Sequence, residues 1–190
     1  MIEIDRAQAG SLRMNGLQSD PPLLRWAGSV VLVLALVTLS GCGGGDPAAA
    51  YRAGDYKTSL AVYSARAETG DLDALNVVGI HYYLGLGADR DYARAVAAFE
   101  QAALGANSQA QRNLGIMYLH GYGVPQDNHR AYGWFFKAYD SGNPHARSYI
   151  KFLSDNVTPN AGQKARAQVD ELIRAHMREA RQAAHAKAAP

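Results

Sequence analysis

The chain has 190 residues, a formal net charge of +2, 48% hydrophobic residues and one cysteine. Charge so near balance argues against a nucleic-acid-binding surface. A lone cysteine excludes an internal disulfide framework.

The N-terminal segment reads as a leader. Trp26 to Leu39 (WAGSVVLVLALVTL) is apolar and free of charge, shorter than the roughly 20 residues that cross a bilayer. It follows a basic region and ends in small residues, the pattern of a secretory signal spanning residues 1–41. Two starts remain open. Met1 puts Glu3 and Asp5 ahead of the basic residues, whereas Met14 leaves a compact leader with Arg25 just before the apolar run. The ending Leu39-Ser40-Gly41-Cys42 resembles the lipobox of bacterial lipoproteins. The resemblance implies that Cys42 becomes an acylated N-terminus. It also implies an outer-membrane, lipid-anchored location facing the periplasm, because Gly43 stands where an Asp resembles an inner-membrane retention signal. The other reading of the run is a signal anchor or buried helix beside an incidental cysteine. Residues 42–47, rich in Gly, read as a flexible tether.

From about residue 48 to about residue 157 the chain repeats itself every 36 residues. Ala74, Gly79, Tyr82, Gly85 and Gly87 recur as Ala110, Gly115, Tyr118, Gly121 and Gly123, while Asp55, Asp91 and Asp127 share one register and Tyr63, Phe99 and Phe135 another. Such a period marks stacked supersecondary units that cannot bury their apolar faces alone. Residues 71–84 and 107–120 carry apolar and small side chains at helical spacing, giving a helix A; residues 91–104 and 127–140 open on Asp N-caps and give a helix B. Gly79 and Gly115 lie inside helix A, where Gly costs about 1 kcal/mol against Ala, so close approach by helix B is expected there. Gly85-Leu86-Gly87 and Gly121-Tyr122-Gly123 suit a left-handed C-cap and tight turn. Gly70, Gly105 and Gly142 are expected to end helix B in the same way, with Asp71, Asn107 and Asn143 starting the next helix.

The run Ala110-x-x-x-Leu114-Gly115-x-x-Tyr118-x-x-Gly121-x-Gly123-Val124-x-x-Asp127, followed by Ala131, Trp134, Lys137, Ala138 and Gly142, resembles a Sel-1-like repeat, a relative of the tetratricopeptide repeat. The best units are 71–106 and 107–142. Residues 48–70 resemble a preceding helix pair, and residues 144–154 a truncated helix A with Lys151 where the Gly belongs. The resemblance implies an all-α fold, a short right-handed solenoid of antiparallel helical hairpins, and protein-protein interaction without catalytic residues.

Residues 158–190 read as a basic amphipathic helix starting at Thr158-Pro159 and fraying from about Ala183. Its stripe of Val169, Leu172, Ile173 and Met177 is expected to cap the open end at residues 144–154; the other reading is a membrane-contacting helix. The six histidines show no i, i+4 pair and no accompanying Cys ligands, so no metal and no cofactor are expected. Ser64, Ser108 and Ser148 lack a nucleophile elbow. A partner-binding surface is expected at the helix A positions that the repeat does not prescribe, namely Asn76, His81 and Tyr83, then Arg112, Met117 and His120. Function is expected to be that of a non-enzymatic, lipid-anchored adaptor for an envelope protein or peptide, with no nucleic acid. The alternatives are an accessory subunit or regulator of an envelope machine serving polysaccharide export or cell-wall remodelling, and an envelope hydrolase.

Overall fold

A computed structural model describes residues 46–188. The leader, the choice between Met1 and Met14, Cys42 and the tether as far as Gly45 lie outside the described residues. Asp46 and Pro47, assigned above to the tether, instead open the first helix: the Asp46 carboxylate accepts from the amide of Ala48 at 3.0 Å, with Pro47 in the first turn.

The described residues form eight helices: α1 (Pro47–Arg52), α2 (Tyr56–Glu68), α3 (Leu72–Leu84), α4 (Tyr92–Leu104), α5 (Ser108–His120), α6 (Asn128–Asp140), α7 (Ala146–Ser154) and α8 (Pro159–Ala188). They are all α, with consecutive helices packed pairwise as a solenoid. The period writes itself into the caps. Asp55, Asp71, Asp91, Asn107 and Asp127 each accept a backbone N–H from the first turn of the helix they precede, satisfying a donor that would otherwise be orphaned. Gly85 and Gly121 end α3 and α5 in the left-handed region, donating back to the carbonyls of His81 and Met117.

Each hairpin is set by a glycine facing an aromatic ring. A Cβ built on Gly79 would stand 2.5 Å from Cε1 of Phe99, and one on Gly115 would stand 2.8 Å from Cε1 of Phe135. The expected close approach therefore exists, but it is a ring of helix B, not its backbone, that fills the gap. Contacts between units use other glycines. Gly87 and Gly123, at φ +77° and +71°, press against the backbone of Tyr56 and Tyr92, the first residues of the preceding helix B. Here both the left-handed conformation and the lack of a side chain are required.

Two expectations about turns are corrected. Gly105 has φ −76° and is not a left-handed cap; it is Ala106, in register with Gly70 and Gly142, that takes φ +72°. Gly105 is required by space instead, since a Cβ there would meet the Leu72 side chain at 2.6 Å. Asn143 also departs from the pattern. Buried, it donates its amide to the Ser108 carbonyl at 3.3 Å and accepts from the amide of His145, and α7 begins only at Ala146.

The C-terminal helix corrects a third. It packs chiefly on α6 and reaches α4, so it lies along the helix B face and not over the end formed by α7. Gly133 allows the approach, since a Cβ there would lie 2.8 Å from the Ala165 carbonyl oxygen. Val169 and Ile173 join the core cluster of Val96, Phe99, Leu114, Met117 and Trp134. Lys137 pairs with Asp170 at 3.0 Å, and the Arg166 guanidinium sits 4.1 Å from the centre of the Phe136 ring. Leu172 and Met177, placed above in the capping stripe, stay about half exposed, while Phe152 on α7 is 63% exposed. The tail does not fray at Ala183: helix continues to Ala188, carried by the Ala-rich sequence, Ala being the best helix former.

Two substitutions test these seats. Gly115→Ala should destabilise by about 1–3 kcal/mol in urea unfolding, because overpacking against Phe135 outweighs the gain in helix propensity of about 1 kcal/mol. Ala106→Gly should raise stability by about 1 kcal/mol, relieving a left-handed Cβ.

Candidate functional site

Four of the six helix A residues proposed as a binding surface are buried. Asn76, His81, Arg112 and Met117 are each at most 7% exposed. The reason is geometric. A helix A inside the stack has neighbours on three sides, and α5 is buried continuously from Ala110 to Met117. Asn76 serves the seam between units: it accepts from the Asn113 amide at 3.0 Å and donates to Gln109 at 3.4 Å. Met117 belongs to the apolar core. Tyr83 and His120 do remain accessible, and they gather with two tyrosines that the sequence reading passed over. Tyr92 stacks on Tyr122 at 5.0 Å, His120 stacks on Tyr122 at 5.3 Å, and Tyr83 lies 5.5 Å from Tyr92.

His81 has a different role. Its Nδ1 lies 2.8 Å from the Leu86 carbonyl oxygen, which only a protonated Nδ1 can satisfy, so Nε2 accepts from the Ser59 hydroxyl at 3.1 Å. That is the geometry of a nucleophile and its base with an orienting acceptor behind it, in a serine not among those considered above. No substrate can use it, because both side chains are fully buried. Rings of Tyr51, Tyr56 and Tyr63 pack around the imidazole. The pair instead joins α2 to α3, and burial pushes the His81 pKa below its ordinary value of 6.5.

A concave site does exist, lined by none of the six residues expected. Between α8 and the helix B layer lies a cavity of about 600 Å³. Trp134, Ala165, Val169, Leu172 and Ala175 supply its apolar lining, and Glu100, Asp127, Arg130 and Glu171 its charges. Asp127 caps α6 and pairs with Arg130 at 3.5 Å, whose guanidinium also rests over the Tyr118 ring. Glu171 is held below the usual carboxylate range, first by its hydrogen bond from Arg178. Both caps and α8 docking build this site. Gly133 did not signal it in the sequence, because its need for space appears only once α8 is seen to cross α6 there.

No group of three His, Cys, Asp or Glu side chains able to hold a metal occurs among the described residues. Nor is any described helix long and apolar enough to cross a membrane.

Residues 72–107 and 108–143 each match the Sel1 repeat family model. Two Sel1 repeats thus form the centre of the stack. The matched segments coincide with α3–α4 and α5–α6, the first running from Leu72 to Asn107, the N-cap of α5, and the second from Ser108 to Asn143, in the same register. The fold is similar to that in the crystal structure of c5321, described as a protective antigen present in uropathogenic Escherichia coli strains displaying an SLR fold. The TM-score is 0.63 at 23% identity, over 67% of this chain and 28% of that one. It is also similar to a Sel1 repeat protein from Oxalobacter formigenes, at TM-score 0.52 and 21% identity, over 66% of this chain and 55% of that one. The chain therefore spans about a quarter and about half of those two proteins. No curated protein sequence matches it.

The buried imidazole makes stability depend on pH. With the folded pKa depressed, the unfolded chain takes up the proton first as pH falls below about 6.5, so stability is full above that pH and declines below it. The slope approaches about 1.4 kcal/mol per pH unit for one proton. Replacing the pair, His81→Met with Ser59→Ala, puts at 81 the residue found 36 positions later and should flatten the urea midpoint between pH 7 and pH 5. An unchanged slope would assign the dependence to other groups.

Proposed function

We propose that the chain is a non-enzymatic adaptor, held at a bacterial membrane by a lipid on Cys42, that presents its Sel1 repeat stack to a partner protein or peptide. The observation that carries the reading is the pair of stacked Sel1 repeats with an open, charged groove beside them. Stacks of this kind offer extended surfaces on a rigid frame. The one nucleophile–base pair described above is sealed inside, which weighs against hydrolysis. In this reading the acyl group fixes location, the Gly-rich residues after Cys42 give reach, and the repeats provide recognition. Attachment through several acyl chains, at about 0.8 kcal/mol per buried methylene, is enough for a stable anchor. The residue after Cys42 favours the outer membrane, with the repeats in the periplasm.

Metabolic labelling with a palmitate analogue tests the anchor. The wild-type chain should take up label and sediment with membranes; Cys42→Ser should lose the label and be retained in the unprocessed form. Membrane association without label in the wild type would replace the lipid by a signal anchor. Stable partners recovered with the wild-type chain from its own envelope, and not with a chain whose repeats are unfolded, test the adaptor role.

A further inference from the structure

The groove beneath α8 has a lopsided composition. Its lining contributes three carboxylates, Glu100, Asp127 and Glu171, against one guanidinium, Arg130. The single cation is already committed to Asp127 and to the Tyr118 ring. Glu171 has its own partners in Arg174 and Arg178, neither of which lines the groove. Glu100 makes no hydrogen bond or ion pair among the described residues, and it stands exposed on α4 at the rim. Below these charges the lining is apolar, and Leu172 is 54% exposed although it belongs to a helix whose other large apolar residues at 169 and 173 are buried. An apolar pocket with an uncompensated carboxylate at its mouth matches an apolar side chain carried next to a cation.

We propose that this groove binds a short cationic amphipathic segment of a partner protein, an apolar side chain entering over Leu172 and Trp134 and a neighbouring Lys or Arg reaching Glu100. The inference rests on the adaptor reading and names the chemistry of its partner. Volume agrees: about 600 Å³ lies within the range of sites that take small ligands or a few side chains. An anionic segment would meet the unpaired Glu100 carboxylate, so the groove selects by repulsion as well as by attraction. A wholly apolar segment would leave Glu100 facing low-dielectric surroundings without a counter-charge.

The test uses the full chain in nanodiscs of neutral phosphatidylcholine. The probe is a fluorescent hexapeptide, Lys-Leu-Leu-Lys-Leu-Lys, with its Glu-for-Lys counterpart and empty nanodiscs as controls. Once the leader that holds Trp26 is cleaved, Trp134 is the only one of the two tryptophans left in the chain, so a change in its emission reports binding beside it. The Lys peptide should bind saturably and shift Trp134 emission, whereas the Glu peptide should not. Glu100→Lys should weaken binding by about tenfold, as expected for loss and reversal of one partly screened charge, and Leu172→Ser, which removes the apolar contact without adding a charge, should weaken it too. Both positions are exposed, so neither variant should alter the melting temperature by much. Equal binding of the two peptides, binding to empty nanodiscs alone, or variants that bind as the wild type would overturn the proposal. Native partners separate it from the adaptor reading. If Glu100→Lys still recovers the same envelope partners as wild type, the adaptor stands and the groove is not its site. Should the wild type recover none, the adaptor reading fails, while the peptide measurement still decides the groove.

Discussion

Everything in this stack depends on how close helix B can come to helix A. At Gly79 and Gly115 the missing Cβ admits the rings of Phe99 and Phe135, and the benzene ring then fills the crossing completely, both phenylalanines being fully buried. A ring of that size buries enough surface to outweigh the roughly 1 kcal/mol that Gly costs in a helix interior. The same arrangement explains where the array stops. In α7 the corresponding position is Lys151, which offers no seat for a ring, and no further helix B follows against that helix. The chain turns at Val157 instead and sends α8 back across the face of α6.

That return has consequences at both ends of α8. Gly133 lets the helix settle onto α6, and Val169 and Ile173 fill the space beside Trp134. Over α4 the fit is looser, and Glu100 and the half-exposed Leu172 both line the groove left there. The groove is thus a product of one helix spanning two repeats with a single apolar stripe. On α7, Phe152 is left exposed, where the expected cap would have lain.

Periodicity made the four helices of the two central units readable to within about a residue at each boundary. Asp91 and Asp127 cap the helices they were expected to cap, and Gly85 and Gly121 take the left-handed conformation their position demands. Errors arose where two neighbouring residues could play one part. Gly105 looked like the turn residue because it is a glycine, but register assigns the left-handed position to Ala106, and the glycine answers a steric need from Leu72. Tertiary placement of α8 was illegible for another reason. An amphipathic stripe states that a face will be buried, not against which neighbour, and the space reserved for it at Gly133 can be recognised only once a crossing is known to occur there.

Four of the six helix A positions expected at the surface are buried because helix A has more than one buried face. In a solenoid its own helix B, the preceding unit and the following unit all press on it, so a polar residue off the consensus need not reach solvent. Asn76 and Asn113 use that burial to hydrogen-bond across units, and His81 replaces the thioether of Met117 with an imidazole that can accept from Ser59. These polar substitutions fall where the regular repeats meet the shorter α1–α2 pair or one another, positions at which an apolar contact would hold the helices together without fixing their register. A directional bond does fix it, since a buried donor left without its acceptor costs roughly 1–3 kcal/mol. Off-consensus polarity in helix A is therefore, at Asn76 and His81, a signal of how units are joined, while Tyr83 and His120 stay at the surface.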